Sequence, residues 1–340
     1  MPPIQTPARV ATAGEALIDM ILGADGRFEP CIGGAVYNLT RALARQGMPT
    51  LYLNPLSHDR FGRQLADGLR ADGVYLGAPD AVAEVTSLAV VSVDASGHPD
   101  YAFYREGVAD RATSAAQLNH ACALAPQLSL VCTGALALSP ADADTYLPWL
   151  AAQSQAGKVV VIDANLRPSV MPDLARYRQH VLATLQYADV IKVSDEDLQH
   201  LALPGSDALA KARLLLARSK AQFLALTRGA QGASLLTRAG AIFHAAETAP
   251  IAVVDTVGAG DCFLAGLVVA MLDLPLAPNW GQAGVDPEQA RLLLAHAIAS
   301  ASLCVQRRGC MPPLREEVRA RVASTPLRWQ VLGAEPPNAV

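Results

Sequence analysis

The sequence predicts an α/β fold in which a mainly parallel central sheet lies between two layers of helices. Short apolar runs rich in valine and isoleucine alternate along the chain with longer alanine- and leucine-rich stretches. The runs are apolar on both faces, which is typical of strands buried between helical layers. The strand-like runs are residues 9–20, 128–134, 158–165, 188–194 and 222–229, and the helical stretches are residues 37–47, 61–74, 207–220 and 287–305.

Two further segments predict a small antiparallel layer added to this domain. Residues 17–34 and 86–108 each hold strand-like stretches around a turn signal. Period-two alternation places three side chains of the second segment on one face: Tyr101, Phe103 and Arg105. We expect one domain over residues 1–340 with this layer inserted as a lid, and its free edge predicts a homodimer that pairs lid to lid.

Composition excludes several classes of protein. The chain of 340 residues is 51% hydrophobic and 17% charged, with a net charge of −4, so it is globular and has no basic field for nucleic acid or anionic membranes. The start lacks the pattern of a signal peptide, and the most apolar segment meets Asp273 after 11 residues, too short to span a bilayer. We expect a soluble, cytoplasmic protein.

The six cysteines form no C-x-x-C pair and have no histidine at zinc-ligand spacing. They are residues 31, 122, 132, 262, 304 and 310. The simplest interpretation is buried thiols in a reducing compartment.

Polar clusters follow the predicted strands, where α/β sheets bind their ligands. They are Asp19, "DANLR" (163–167), "SDED" (194–197) and "TRG" (227–229).

The stretch "DTVGAGDCF" (255–263) carries the strongest chemical signal. The backbone N–H groups of Gly258, Ala259 and Gly260 would lie at the N-terminus of an apolar, buried helix and favour an anion. Asp261 follows, either as an acidic residue that stabilises the helix dipole or as the base of a phosphoryl transfer. In the second interpretation the dipole would keep Asp261 ionised while it accepts the proton of the attacking hydroxyl.

Two segments of the sequence resemble the signatures of a known protein family. "DTVGAGDCFLAGLVVAML" (255–272) resembles the C-terminal signature of the PfkB, or ribokinase-like, family of sugar kinases, and "GGAVYNLTRALARQG" (33–47) resembles its N-terminal signature. The resemblance runs from about residue 10 to 316 and is closest to the fructokinase branch. It implies a ribokinase-like three-layer α/β/α domain with a β lid, and ATP-dependent phosphorylation of a ketose, most simply fructose.

The resemblance also implies roles for residues on the sugar side. Asp261 would be the catalytic base, and Gly258, Ala259 and Gly260 the anion hole. Sugar contacts would come from Asp19, Gly33, Gly34 and Asn38, with Phe103, Arg105 and Arg167 closing over the substrate. The residues alone leave an alternative for each of these contacts. Asp19 would be a solvated aspartate at a strand end, and Gly33 and Gly34 would form a turn. Asn38 would be a helix N-cap and Arg105 a surface charge.

On the nucleotide side, the resemblance assigns ATP contacts to Ser194, Thr227, Gly229, Gly232 and Gly260. For Thr227, Gly229 and Gly232, an ordinary turn between a strand and a hairpin remains the alternative.

Three departures from the family pattern bear on metals and sugar. The usual magnesium-associated Asn-x-x-Glu is Ser194-x-x-Asp197 here, so we expect Asp197 to reach Mg²⁺ through water. A potassium site would use Asp255, Val257 and Gly309, but Pro313 replaces an oxygen donor. Tyr37 stands in the sugar motif, where the family commonly has alanine.

Other functions stay open on sequence alone. 2-Keto-3-deoxygluconate kinase and ribokinase are the alternatives within the class, the former because Arg105 and Arg167 offer counter-charges for a carboxylate. A catalytically silent sugar or nucleotide sensor is the alternative outside it.

Overall fold

The computed structural model describes residues 6–23, 25–93, 99–274 and 284–332. Its large sheet has the strand order β14-β13-β12-β11-β10-β9-β8-β1-β4-β5 and its small sheet the order β3-β2-β6-β7. The strands are β1 Val10–Thr12, β2 Leu17–Leu22, β3 Phe28–Gly33, β4 Thr50–Tyr52, β5 Tyr75–Leu76, β6 Ser87–Val93, β7 Pro99–Tyr104, β8 Leu130–Gly134, β9 Val159–Asp163, β10 Val190–Ser194, β11 Phe223–Thr227, β12 Ala233–Thr237, β13 Ile242–Glu247 and β14 Leu327–Leu332.

The described helices flank the large sheet. They are α1 Ala35–Arg45, α2 Arg60–Ala71, α3 Ala115–Ala123, α4 Ala143–Gln155, α5 Leu174–Thr184, α6 Asp195–His200, α7 Ala208–Ala217, α8 Ala259–Asp273, α9 Pro287–Cys304 and α10 Arg315–Ser324. Among the described helices, none is both long and apolar enough to cross a membrane.

In the spatial order of the large sheet, the neighbouring strands β5, β4, β1, β8, β9, β10 and β11 are parallel. Each neighbouring pair from β11 through β12 and β13 to β14 is antiparallel. Alternate residues of its central strands enter two separate cores: Ile162 of β9 packs on one side with Trp149 and Tyr177, and Val161 packs on the other with Phe263. Helices α3, α4, α5 and α7 cover the first side, while α1, α8 and α9 cover the second. The predicted three-layer α/β/α fold is confirmed.

The small sheet is built from two antiparallel hairpins, β2–β3 and β6–β7. A parallel pairing of β2 with β6 joins them. Phe103 of β7 packs with Leu17, Leu136 and Met171, so one face of this sheet lies against turns that follow β8 and β9. The predicted turn at residues 94–97 and the side chain of Tyr101 lie outside the described residues.

The single strand predicted over residues 9–20 is wrong, because β1 and β2 belong to different sheets. The chain leaves the large sheet at Gly14, whose N–H donates to Asn54 Oδ1 at 2.8 Å. A Cβ atom at Gly14 would come within 2.4 Å of Val36 Cγ2, so only glycine lets the chain pass under α1 here.

Candidate active site

The two sequence signatures meet at one hydrogen bond. Asp261 lies in the first turn of α8, and Asn38 lies on α1, which packs against α8. Asn38 Nδ2 donates to Asp261 Oδ2 at 3.0 Å, and both side chains are buried. The fold therefore joins residues that are 223 positions apart in the chain. The other carboxylate oxygen of Asp261, Oδ1, takes no part in this hydrogen bond.

The environment of Asp261 changes its acidity. Burial raises its pKa to about 7, the negative charge of Asp163 adds to the rise, and the Asn38 hydrogen bond opposes it. Burial therefore opposes the expected effect of the helix N-terminus, which favours the ionised form of Asp261. A carboxyl group with a pKa close to neutral pH is well matched to act as a general base.

A buried ion pair lies at the carboxyl edge of the sheet beside Asp261. Lys192 Nζ of β10 lies 3.0 Å from Asp163 Oδ2 of β9, and Asp163 Oδ1 has no hydrogen-bond partner among the described residues. Burial raises the pKa of Asp163 to about 6, and Lys192 opposes that rise. Asp163 and Asp261 both line one small pocket, together with Gly134 and Ala135.

The glycine loop before α8 needs its small residues. Gly258 has φ of 77°, in the left-handed region, and a Cβ atom there would lie 2.2 Å from Cys310 Sγ. A Cβ atom at Gly260 would lie 2.9 Å from Lys192 Nζ. The ammonium group thus reaches the loop that we expect to hold an anion. Sequence reasoning missed Lys192, although a lysine inside an otherwise apolar buried strand is itself a signal.

At the sugar side, Asp19 and the di-glycine segment lie together. A Cβ atom at Gly33 would lie 2.0 Å from Asp19 Oδ2, and one at Gly34 would lie 2.7 Å from the Glu15 carbonyl oxygen. Burial raises the pKa of Asp19 to about 6, while the Arg167 charge lowers it. Close packing against the Asp19 carboxylate and the Glu15 carbonyl therefore requires glycine at both positions.

Glu15 is a second residue that sequence reasoning missed. Its side chain is only 2% exposed; Oε1 accepts from the Ala35 N–H at 3.0 Å, and Oε2 has no partner among the described residues. Burial raises its pKa to about 7, and the nearby Arg105 charge opposes the rise. Buried polar atoms are almost always hydrogen-bonded, so an unsatisfied carboxylate oxygen here points to a ligand. The sequence signal for this residue is a glutamate within an apolar run, three positions after the end of β1.

Arg105 is not the exposed surface charge that the sequence left open. Its side chain is 11% exposed, and its guanidinium lies 2.9 Å from Asp110 Oδ2 and 3.6 Å from Asp142 Oδ2. The Arg105 Nε has no partner among the described residues. The positive charge of Arg105 is thus already paired inside the protein.

Arg167 lies close to several acidic groups at once. Its side chain donates to Asn165 Oδ1 at 2.6 Å, and Asn165 has φ of 34°, a left-handed conformation that asparagine tolerates. Burial raises the pKa and the Arg167 charge opposes the rise at four carboxyl groups: Glu15, Asp19, Asp163 and Asp261. Arg167 therefore lies within electrostatic reach of both the sugar side and the expected base.

The predicted nucleotide residues gather at the ends of β10 and β11. Ser194 pairs with Thr227 in the parallel register. Gly229 and Gly232 bracket the turn into β12 with φ of 49° and 88°. Asp197 forms a capping box with Ser194: Asp197 Oδ2 accepts from the Ser194 N–H at 2.8 Å, and Oδ1 accepts from the Leu166 N–H at 2.7 Å. Asp197 thus holds the Arg167 segment against α6.

The residues expected to hold potassium also lie together. Asp255 Oδ1 accepts from the Val257 N–H at 3.0 Å, and Asp255 Oδ2 accepts from the Gly309 N–H at 2.8 Å. Pro313 is buried and offers no side-chain oxygen. The Asp255 carboxylate therefore ties the glycine loop to the chain after α9.

Tyr37 does not face the sugar side. Its hydroxyl donates to the Leu65 carbonyl at 3.0 Å, and its fully buried ring packs in the core beneath α2. Arg41 lies over the ring, 5.9 Å from its centroid. Tyr37 is thus a core residue that fixes α1 against α2.

A carboxylate beside a glycine loop at a helix N-terminus, under a small sheet, defines the site of a phosphoryl-transferring α/β protein. Comparison with known proteins identifies the family: residues 8–317 match the model of the pfkB family carbohydrate kinases. The chain belongs to this family.

Individual relatives of this chain include fructokinases. A fructokinase of Rhizobium leguminosarum bv. trifolii is 34% identical over 272 residues, covering 77% of this chain and 79% of the relative. The crystal structure of a Xylella fastidiosa fructokinase with bound ATP has a TM-score of 0.78 at 27% identity, covering 93% of this chain and 98% of that one. An E. coli protein solved with ATP and Mg²⁺ has a TM-score of 0.77 at 25% identity, covering 93% and 99%.

Proposed function

We propose that this carbohydrate kinase is an ATP-dependent fructokinase, which transfers the γ-phosphoryl group of ATP to the primary hydroxyl of fructose. The observation that carries the proposal is the hydrogen bond between Asn38 and Asp261, which brings a polar group of the sugar side onto the expected base. The fructokinases among its relatives supply the choice of sugar.

In the proposed reaction, Asp261 accepts the proton of the attacking hydroxyl. Its pKa near 7 allows it to hold that proton after transfer. The N–H groups of Gly258, Ala259 and Gly260 stabilise negative charge on the phosphoryl group, and the Lys192 ammonium, which reaches Gly260, adds positive charge on the same side. Phosphoryl transfer needs mainly such positioning and charge stabilisation.

The charge pattern of the sugar side favours a neutral sugar over an acidic one. Glu15 and Asp19 present carboxylate oxygens, which accept hydrogen bonds from hydroxyl groups. Arg105, the cation that a keto-acid would need, is already paired with Asp110 and Asp142. The charge of Arg167, the other arginine considered for this role, already acts on several carboxyl groups of the site. Fructose fits this arrangement better than 2-keto-3-deoxygluconate.

Two carboxylates fit a role in holding Mg²⁺. Asp163 Oδ1 is buried without a partner in the described structure, beside the pocket next to Asp261. Each oxygen of Asp197 already accepts one backbone hydrogen bond, so a water-mediated contact suits it better than direct ligation. Mg²⁺ bound with ATP would neutralise charge on the phosphates.

Potassium would be held by Asp255 with the backbone carbonyls of Val257 and Gly309. The Asp255 carboxylate already orients both segments through their N–H groups, which supports the placement. Since Pro313 supplies no oxygen, we infer that potassium activates this enzyme weakly. ATP contacts would come from Ser194, Thr227, Gly229, Gly232 and Gly260.

The small sheet would act as the lid of a single kinase domain over residues 1–340, with Phe103 on its inner side. Four large hydrophobic side chains of this sheet are 38–62% exposed: Ile21, Leu22, Phe28 and Tyr104. They support a homodimer that pairs lid to lid, which light scattering of the purified protein tests directly. A cytoplasmic location goes with this function, because ATP is the second substrate.

The deciding experiment is an ADP-release assay over fructose, ribose and 2-keto-3-deoxygluconate with Mg–ATP, with and without potassium. We expect the highest kcat/KM for fructose and little ADP release without sugar. Higher kcat/KM for either other substrate would overturn the choice of sugar. Sugar binding without any turnover would support a silent sensor instead. The same assay on Asp261→Asn gives the background.

A further inference from the structure

Three cysteines from separate segments converge beneath the glycine loop. Cys262 lies in the first turns of α8, Cys304 is the last residue of α9, and Cys310 lies in the loop before α10. Their Sγ atoms all lie within 4.8 Å of one another. All three are free thiols. We call this group the thiol trio.

The surroundings of the thiol trio contain sulfur and little else that could bind a metal. Cys262 and Cys304 are fully buried, whereas Cys310 is partly exposed. No histidine or carboxylate of the described residues completes the group. The Cys304 Sγ contacts the Val257 carbonyl oxygen at 3.5 Å, so the trio touches the loop before α8.

The geometry is close to that of a three-coordinate metal. With metal–sulfur bonds of about 2.3 Å, three sulfurs around one ion in a plane lie about 4 Å apart. The observed limit of 4.8 Å requires only a small contraction. Thiolate ligands select soft ions such as Cu(I), whereas structural Zn²⁺ sites almost always have four ligands. A sulfur-only group of three therefore favours Cu(I).

We propose that the thiol trio is a binding site for a soft d¹⁰ cation of the Cu(I) type, held by the sulfurs of Cys262, Cys304 and Cys310. On binding, three metal–sulfur bonds form and the thiol protons leave to solvent, with no transfer of electrons. The site uses none of the residues proposed to contact sugar or ATP, although it lies next to them: Cys262 follows Asp261 in the chain, and Cys310 Sγ lies against Gly258. It goes beyond the proposed kinase activity.

A bound ion would tie the glycine loop to the segments after α9. Cys304 Sγ contacts the Val257 carbonyl oxygen and Cys310 Sγ lies close to the Gly258 backbone, so a shift of these sulfurs toward a metal would change their contacts with the loop. We therefore expect metal-loaded protein to phosphorylate sugar more slowly than metal-free protein. This consequence rests on the proposed function, whereas metal binding does not.

The test is an anaerobic titration of the reduced protein with Cu(I) in competition with a chromophoric chelator. We expect one equivalent of Cu(I) with thiolate-to-copper absorption in the ultraviolet, and weaker binding of Zn²⁺ in a parallel titration. Cys310→Ser and Cys304→Ser should each lower the affinity at least about tenfold. Cys122→Ser, on the opposite side of the sheet, is the matched control and should bind as the unchanged protein does.

A second measurement does not depend on the folding of any variant. In the unchanged protein, Cu(I) should slow alkylation of the half-buried Cys310 without changing the rate at the half-buried Cys31. Absence of stoichiometric Cu(I) binding, equal affinity in folded trio variants, or equal protection of Cys31 and Cys310 would overturn the proposal. So would tighter binding of Zn²⁺ than of Cu(I), or reduced protein that binds no Cu(I) and instead forms a disulfide within the trio in air.

Discussion

Asp261→Asn should abolish most turnover and yet make the protein more stable above neutral pH. The substitution removes the proposed base but keeps an oxygen that can accept the hydrogen bond from Asn38. General base catalysis contributes roughly 10²–10⁴-fold, so kcat should fall by about that factor. The unchanged enzyme should show a kcat/KM that rises with pH and levels off above about 7.

The stability gain follows from the acidity of Asp261. Its pKa is about 7 in the folded protein against an ordinary value of 3.8, so the folded state binds this proton more tightly than the unfolded state. Stability is therefore highest when the group is protonated in both states, and it is lost as pH rises from 3.8 to about 7. The loss reaches roughly 4 kcal/mol above pH 7, and asparagine avoids it.

The measurement is urea unfolding of both proteins at pH 5.5 and 8.5, together with ADP release. We expect Asp261→Asn to be more stable by up to roughly 4 kcal/mol at the higher pH and by about half as much at the lower. Asp80→Asn, an exposed carboxylate, is the control and should change neither property. Near-normal turnover would refute the assignment of the base, and a variant that is less stable at both pH values would refute the desolvation argument.

Three further substitutions test other parts of the site. Glu15→Gln should raise the fructose KM by roughly 10–100-fold at similar kcat, because hydrogen bonds to charged groups contribute about 1.5–3 kcal/mol, and an unchanged KM in steady-state assays would contradict the sugar contact. Gly258→Ala should destabilise the protein in urea and reduce turnover, whereas Gly73→Ala, with a similar φ of 79° and free space, should cost only about 1–2 kcal/mol and retain activity; equal effects would contradict the steric argument. Lys192→Met should cost about 3–5 kcal/mol in urea at pH 8.5 by leaving Asp163 charged and unpaired, and less at pH 5.5, where that carboxyl group is protonated; a loss independent of pH would contradict this account.

The fold was predictable because it depends on local pattern. Apolar runs bounded by polar residues marked β8 to β11, and the apolar stretch after Gly260 marked α8, since strands and helices buried on all sides need little more than such runs. The boundary between β1 and β2 was not predictable. The apolar residues continue across Gly14, so the pattern does not mark the change of sheet that the strand pairings show there.

The candidate site was predictable as far as its motifs extend. Motifs placed Asn38 and Asp261 in one site, but the sequence could not give the depth of burial that raises the Asp261 pKa. Lys192 and Glu15 were missed because the sequence does not reveal which partner a charged residue near a buried strand binds, or which way its side chain points. The thiol trio was hidden for another reason: its members lie on separate segments and meet only in the folded chain.

The buried charges of the site explain why the proposed kinase would use ATP as its magnesium complex. In the free protein, burial and the Asp163 charge already hold part of Asp261 in its protonated, inactive form at neutral pH. A triphosphate brought to the adjacent glycine loop adds negative charge, which would raise that pKa further and weaken the base. Lys192 is already paired with Asp163, so it offsets only part of that charge. A divalent cation bound with the nucleotide would add positive charge there and so favour the ionised form of Asp261.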